Sequence, residues 1–219
     1  MGVTPGKFIT FEGGEGAGKS TQAALLRARL EKARLKVVTT REPGGSPRAE
    51  AIREILLSGK AKHLGPLAET ALFYVARDSH LELTIRPALA RGSWVISDRF
   101  ADSTRAYQGA AGGVPLSVVS ALDHVIVGDT KPDLTIILDV PPEEGLRRAK
   151  ARAAAAGDDQ PDRFEQMNLA FHRNLRQEFL DISVAEPGRC VVIDATLSPD
   201  EVAGQVWAAV KLRLGLTDD

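Results

Sequence analysis

The stretch Lys7-Phe8-Ile9-Thr10-Phe11-Glu12-Gly13-Gly14-Glu15-Gly16-Ala17-Gly18-Lys19-Ser20-Thr21 decides how this 219-residue chain is read. It starts as an apolar, strand-like run, turns through a glycine-rich loop and ends in Lys19-Ser20 where a helical pattern begins. From Gly13 to Ser20 the spacing is G-x-x-x-x-G-K-S, the P-loop signature. Gly13, Gly14, Gly16 and Gly18 permit backbone angles that a side chain would forbid. Successive N–H groups can then converge on phosphate oxygens. The helix starting near Lys19 adds the positive end of its dipole. Lys19 supplies a mobile cation for the β- and γ-phosphates, and the Ser20 hydroxyl is a candidate ligand for Mg²⁺. The alternative is an ordinary glycine-rich βα turn; the strand before and the helix after favour the phosphate loop.

Outward from this stretch the chain alternates strand-like and helical runs. Five short runs read as strands: Phe8–Phe11, Lys36–Thr40, Trp94–Ser97, Leu134–Val140 and Cys190–Ile193. They are rich in Val and Ile and lack period-2 alternation, as strands buried on both faces of a parallel sheet do. Helical patterns over Lys19–Arg34, Pro47–Leu57, Pro66–Arg91, Ser117–Val127, Pro142–Ala156 and Asp162–Ser183 separate them, and Ser198 opens a last helix. Pro87 predicts a kink or break. This alternation is the α/β signature.

Hydrophobic content of 43% and charged content of 26% suit one globular domain of this length, with room for a small inserted lid. A net charge of −1 argues against a general nucleic-acid or membrane binder. The one cysteine, Cys190, heads an apolar run and reads as a buried thiol. No secretory leader pattern and no long apolar run is apparent, which predicts a cytoplasmic protein. The four histidines lack metal-ligand spacing and read as surface or packing residues.

Four further constellations carry chemistry. Thr40-Arg41-Glu42-Pro43-Gly44-Gly45 follows the second strand, so Arg41 falls on the edge where α/β sheets bind ligands; it grips a phosphate or is a solvent-facing turn residue. Ser97-Asp98-Arg99-Phe100 follows the third strand and puts Asp98 where such folds organise Mg²⁺, with Arg99 beside it. Lys19, Arg41 and Arg99 together are more positive charge than one nucleotide tail needs, which points to a second phosphorylated molecule as acceptor. Phe73 and Arg77, one helical turn apart, share a face; they can stack on and hydrogen-bond a base, or be a core Phe with a surface Arg. Arg147, Arg148, Lys150 and Arg152 form a basic run before the breaker Gly157–Pro161; it closes over a triphosphate or is a solvated face. Thr130-Lys131-Pro132-Asp133 mimics a guanine-recognition motif but precedes a strand, so it reads as a turn.

FEGGEGAGKST, TREPGG, FYVAR, SDRF followed by AYQG, PDLTIILDV, DRFE and VVIDAT occur in this order. The chain thereby resembles the bacterial thymidylate kinases over essentially its whole length. The resemblance implies a P-loop NTPase fold, a three-layer α/β/α domain with a five-stranded parallel sheet and a small helical lid over residues of about 147–163. It implies that Gly13, Gly14, Glu15, Gly16, Ala17, Gly18, Lys19, Ser20 and Thr21 bind ATP, with the Ala195-Thr196 loop on the adenine side. Ser20 and Asp98 would serve the Mg²⁺. Arg41 and Arg99 would hold the phosphate of dTMP, with Glu12 near its sugar and helping to fix Arg41. Phe73 would stack on thymine and Arg77 bond its edge. Pro43, Ser103, Thr104, Tyr107 and Gln108 would line the acceptor pocket, Tyr107 crowding the sugar 2′ position, and Asp162 and Glu165 would approach the acceptor sugar. Glu15 stands where some members carry a P-loop arginine, so the chain resembles the type whose arginines, here Arg148 and Arg152, lie in the lid. Similar enzymes are homodimers.

The chemistry expected is transfer of the ATP γ-phosphate to dTMP, with Lys19, Asp98, Arg99, Arg148 and Arg152 at the reacting groups. The acceptor phosphate has a second pKa of about 6 and needs no general base near neutrality. A deoxynucleoside kinase is the alternative; its hydroxyl acceptor would need a carboxylate base, for which Glu12 is the candidate. A P-loop ATPase switch is a further rival, weakened because the motifs occupy the whole chain.

Overall fold

A computed structural model describes residues 6–156 and 164–216. The five runs form strands β1 Phe8–Glu12, β2 Val37–Arg41, β3 Trp94–Asp98, β4 Leu134–Asp139 and β5 Cys190–Asp194. They pair in the order β2-β3-β1-β4-β5, every pair parallel. All the strand carboxyl ends therefore lie on one edge, where α/β sheets bind ligands. Both faces are covered. Ile9 and Phe11 of β1, Ile96, Ile136 and Leu138 pack with Leu26 and Leu30 of α1 (Lys19–Lys32) and with Val202, Val206 and Val210 of α9 (Pro199–Leu214). Phe8 and Val95 face the other way, against Leu81, Ile85 and Phe100. Ile137 and Cys190 meet Leu175, Phe179 and Ile182 of α8 (Leu169–Ala185) on that same side. This is the α/β architecture the alternation predicts, in the three layers that the resemblance implies.

The remaining helices are α2 (Pro47–Leu57), α3 (Pro66–His80), α4 (Arg86–Ala90), α5 (Ala101–Thr104), α6 (Leu116–Ile126) and α7 (Pro142–Ala156). The break expected at Pro87 appears as a π-helical turn, Leu81–Ile85, that joins α3 to α4; proline offers no N–H and crowds the preceding turn, and the wider turn absorbs both effects. A second π turn, Arg105–Ala110, continues α5 and was not predicted. The helix expected over Asp162–Ser183 is corrected: α8 starts at Leu169, where the Asn168 side chain accepts the Phe171 N–H at 2.9 Å, an ordinary cap. Residues 157–163, including Asp162 and much of the expected lid, lie outside the described residues. Ser198 caps α9 in a reciprocal box with Glu201, as its sequence predicts. The Thr130–Asp133 segment is a loop whose Asp133 accepts the Phe8 N–H at 2.8 Å and Lys7 at 3.0 Å, pinning the start of β1. Among the described residues no helix is long and apolar enough to cross a membrane.

Candidate active site

The P-loop joins the end of β1 to the start of α1 at the middle of the carboxyl edge. Gly18 caps α1 with a left-handed φ of 89°, and no side chain caps the helix. The first turn of α1 also carries no acidic residue, so its N–H groups and dipole stay available to an anion. Gly16 is dictated by a close approach: φ is +66°, and a Cβ there would sit 1.9 Å from the Gly145 carbonyl oxygen on α7. Gly14 departs from the expectation, having no positive φ and no atom within 4 Å of where a Cβ would be. Lys19 folds back over the loop, its Nζ 3.1 Å from Gly13 O and 2.7 Å from Gly14 O. Burial, and then the Arg99 charge, lower its pKa to about 8. The Ser20 hydroxyl donates to Asp98 Oδ2 across the end of β3.

A cleft of about 570 Å³ opens in front of this loop. One wall is Glu15 through Thr21 with Asp98 and Arg99; the other is Arg41, Pro43, Phe73, Arg77, Ser103, Thr104, Tyr107 and Gln108; Arg152 and Glu165 lie at the lid side. Residues from widely separated sequence segments thus share one volume. Arg99 adopts a left-handed φ of 70°, unusual for a side-chain-bearing residue and a form of strain often found at functional sites. Its guanidinium donates to Gly13 O at 3.1 Å, Ser103 Oγ at 3.2 Å and Glu15 Oε1 at 2.9 Å, and lies over the Tyr107 ring. The Tyr107 hydroxyl donates to the same Glu15 oxygen. Burial alone would raise the Glu15 carboxyl, but the Arg99 and Lys19 charges and the Tyr107 hydroxyl hold it at about 2. Glu15, expected on the donor side, is therefore tied to Arg99 and Tyr107, two residues expected on the acceptor side.

Arg77 is buried, and its Nε donates to Glu42 Oε2 at 2.8 Å. Its Nη2 donates to Phe100 O at 3.2 Å and Thr104 Oγ1 at 2.8 Å, while Nη1 is buried without a partner. A buried donor left unpaired is costly, and Arg77 is among the residues that line the cleft. Arg41 bonds Glu50 at 2.9 Å with both side chains largely exposed, a weak tether that a phosphate can displace.

Several expected residues lie elsewhere. Glu12 does not line the cleft and does not fix Arg41. It is fully buried, accepting the Phe100 N–H at 2.7 Å and Ser103 Oγ at 2.6 Å, and burial followed by the Asp102 charge raises its pKa to about 8. It thus holds the turn that carries Arg99. Gly13 and Gly14 line a small cavity of about 20 Å³ behind the loop. Arg148 is engaged by Glu144 Oε1 and by the Ala195 carbonyl, each at 2.7 Å, and does not line the cleft; Ala195 is buried, and Thr196 bonds Asp194. Arg152 does line it, with Glu165 at 3.3 Å. Sequence reasoning missed Glu42, Glu50, Arg53, Leu57 and Phe164. Arg53 and Leu57 stand one helical turn apart on α2, a spacing that signals a shared face. Arg53 Nη1 donates to Pro43 O at 2.7 Å and so secures the Arg41 loop.

The family model described as thymidylate kinase matches residues 11–206. A thymidylate kinase of Rhodopseudomonas palustris is 60% identical over 210 residues, covering 95% of this chain and 90% of that protein. One from Nitrobacter hamburgensis is 55% identical over 218 residues, covering 100% of this chain and 94% of that protein. The crystal structure of thymidylate kinase from Ehrlichia chaffeensis is similar with a TM-score of 0.74 and 34% sequence identity, covering 94% of this chain and 99% of that one.

Proposed function

Because this chain belongs to the thymidylate kinase family, and so phosphorylates dTMP as a nucleoside monophosphate kinase, we propose that its large cleft holds ATP and dTMP together and transfers the phosphoryl group directly between them. The observation that carries this reading is the shared volume: the P-loop wall and the Arg41, Phe73, Arg77 and Tyr107 wall face one space. ATP takes the P-loop, its phosphates on the free N–H groups of the α1 terminus and on Lys19. The loop of Ala195 and Thr196 lies at the adenine side. dTMP takes the opposite wall, its base against Phe73 with the free Nη1 of Arg77 at its edge, and its phosphate between Arg41 and Arg99.

Once a phosphate arrives, Arg99 exchanges part of its contact with Gly13 and Glu15 for the incoming anion. An oxygen of the dTMP phosphate attacks the γ-phosphorus in line, the bond to the β,γ-bridging oxygen breaks, and ADP leaves. Lys19, Arg99 and Arg152 stabilise charge on the transferring group. No base is needed, since the acceptor phosphate ionises with a pKa of about 6. Glu12, the base that a hydroxyl acceptor would require, lies outside the cleft and is occupied by Phe100 and Ser103. Ser20 and Asp98 present a hydroxyl and a carboxylate side by side, hard oxygen donors of the kind Mg²⁺ selects, and would hold the ion that comes with ATP. When bound it neutralises charge between the phosphates. Residues of about 147–163 act as a lid that excludes water. The enzyme works in the cytoplasm as a homodimer, with the exposed Leu67 and Val75 of α3 at the contact; light scattering on the purified protein tests the dimer.

A coupled ADP-release assay across dTMP, dUMP, dCMP, dGMP and thymidine tests the acceptor assignment. The expected result is turnover with dTMP far above the others. Thymidine outpacing dTMP overturns the two-phosphate site.

A further inference from the structure

Beneath the acceptor wall runs a buried chain of polar side chains that no step of the transfer uses. Thr40 Oγ1, at the end of β2, lies 2.7 Å from His80 Nε2. His80 Nδ1 lies 2.9 Å from Glu42 Oε1. The second Glu42 oxygen accepts Arg77 Nε at 2.8 Å. His80 is wholly buried, and Glu42 and Arg77 nearly so.

The bond directions follow from the chemistry. Burial opposes ionisation of Glu42, but the Arg77 charge and the His80 hydrogen bond lower its pKa. A carboxylate only accepts, so His80 Nδ1 carries a proton. The Thr40 hydroxyl, which can donate or accept, completes the chain at Nε2. Glu42 is then held at both oxygens and cannot rotate, which fixes the plane of the Arg77 guanidinium. The loop carrying Arg41 closes over the same residues: a Cβ on Gly45 would sit 2.3 Å from both His80 Nε2 and Thr40 Oγ1.

We infer that His80 is a positioning residue for recognition of the acceptor base. Through Glu42 it holds Arg77 so that Nη1 meets a pyrimidine carbonyl, and the Thr40 hydroxyl anchors the far side of the His80 ring. This rests on the proposed placement of Arg77 against the base. Cytosine presents an amino group where thymine presents a carbonyl, so a well-held Arg77 favours dTMP over dCMP.

The test measures kcat and KM with dTMP, dCMP and ATP for His80→Leu, His80→Asn, Thr40→Val and Arg77→Ala, with thermal melting alongside. His80→Leu is expected to raise the dTMP KM and to lower the dTMP-to-dCMP ratio of kcat/KM by about tenfold each, within the hundredfold that misplacement by 1 Å can cost. Its ATP KM should stay within about twofold, because the donor wall keeps its binding contacts. His80→Asn keeps a donor toward Glu42 and should recover most of the loss. Thr40→Val, at the rim of the chain, should raise the dTMP KM about threefold while leaving the ATP KM unchanged, and it decides the matter if His80→Leu does not fold. Equal impairment of His80→Leu and His80→Asn, or a matching rise in the ATP KM, overturns the inference in favour of simple packing. Arg77→Ala separates the two levels of the argument. An unchanged dTMP KM there overturns the base contact itself, whereas an impaired Arg77→Ala beside normal His80→Leu and Thr40→Val overturns only the relay.

Discussion

Two arginines on one face of α7 are held so differently that their substitution should separate stability from catalysis. Arg148 is engaged at both ends of its guanidinium by Glu144 and the Ala195 carbonyl, each at 2.7 Å. Arg152 lines the cleft, is 69% exposed and reaches Glu165 only at 3.3 Å. An exposed pair of that kind contributes about 0–1 kcal/mol, so Arg152→Ala should barely move the melting temperature. If Arg152 meets the transferring phosphoryl group, losing it should lower kcat by about 10²–10³, or roughly 3–4 kcal/mol of transition-state stabilisation. Arg148→Ala should show the reverse. It leaves the carbonyl of buried Ala195 without its donor, costing about 1–3 kcal/mol, while kcat should fall less than about tenfold. Steady-state ADP release at saturating ATP and dTMP, with thermal melting on the same preparations, reads both quantities. Arg152→Lys then shows whether charge alone suffices or the planar fork is needed. A loss of kcat in Arg148→Ala as large as that in Arg152→Ala would refute the reasoning.

Other expectations concern the donor wall. Lys19 stands at about 8 because burial, then Arg99, disfavour its charge; it is charged below that pH and neutral above it. The value of kcat/KM for ATP should therefore hold to near pH 7.5 and fall about tenfold per unit above pH 8, since this parameter follows ionisations of the free enzyme; a flat profile to pH 9.5 contradicts the role of Lys19. Gly16→Ala forces a side chain into a φ of +66° and against Gly145 O. The backbone term alone is about 1–2 kcal/mol, enough to lower the melting temperature by about 2–8 °C in a chain of this size; calorimetry showing no change would mean that the loop relaxes freely. Asp98→Asn should raise the free Mg²⁺ needed for half-maximal rate by about tenfold, because a neutral amide is a poorer partner for a hard cation. An unchanged Mg²⁺ dependence argues that Asp98 serves only to hold Ser20.

The sheet was readable because each strand is a short β-branched run bounded by turn residues, and the P-loop because its spacing encodes backbone geometry directly. Helix α5 and the π turn after it were not. That stretch is largely polar, ends near glycines and has its apolar packing at scattered positions, Ala101, Ala106 and Tyr107, so it lacks the periodicity that betrays a helix. Asn168 shortened the helix expected over Asp162–Ser183 by competing for its first N–H groups, an effect of one side chain that a periodic pattern overlooks. Within the site, the motifs located Lys19, Ser20, Asp98 and Arg99, whose side chains are local to the loops that name them. Partners distant in sequence were invisible. Glu42 and Arg77 are 35 positions apart, and Arg148 meets a carbonyl 47 positions away. Glu15 shows the limit most clearly. Its position in the motif admits any residue, so the pattern placed it in the P-loop and could not say that its carboxylate turns toward Tyr107 and Arg99.

The strand order has a consequence for divergence. With β1 in the centre, β2 and β3 fill one half of the sheet and β4 and β5 the other. On the proposed assignment, every acceptor contact made at a strand end, Arg41 and Arg99 with the turn that follows, belongs to the β2–β3 half. The lid helix and the Ala195 loop belong to the β4–β5 half. Changes of acceptor preference can therefore accumulate on one side of the molecule while the phosphate-donating side stays as it is. A descendant of this scaffold is free to alter what it phosphorylates without relearning how to hold ATP, and a chimera exchanging the β2–β3 half together with α3, which carries Phe73 and Arg77, should transfer the preference with it.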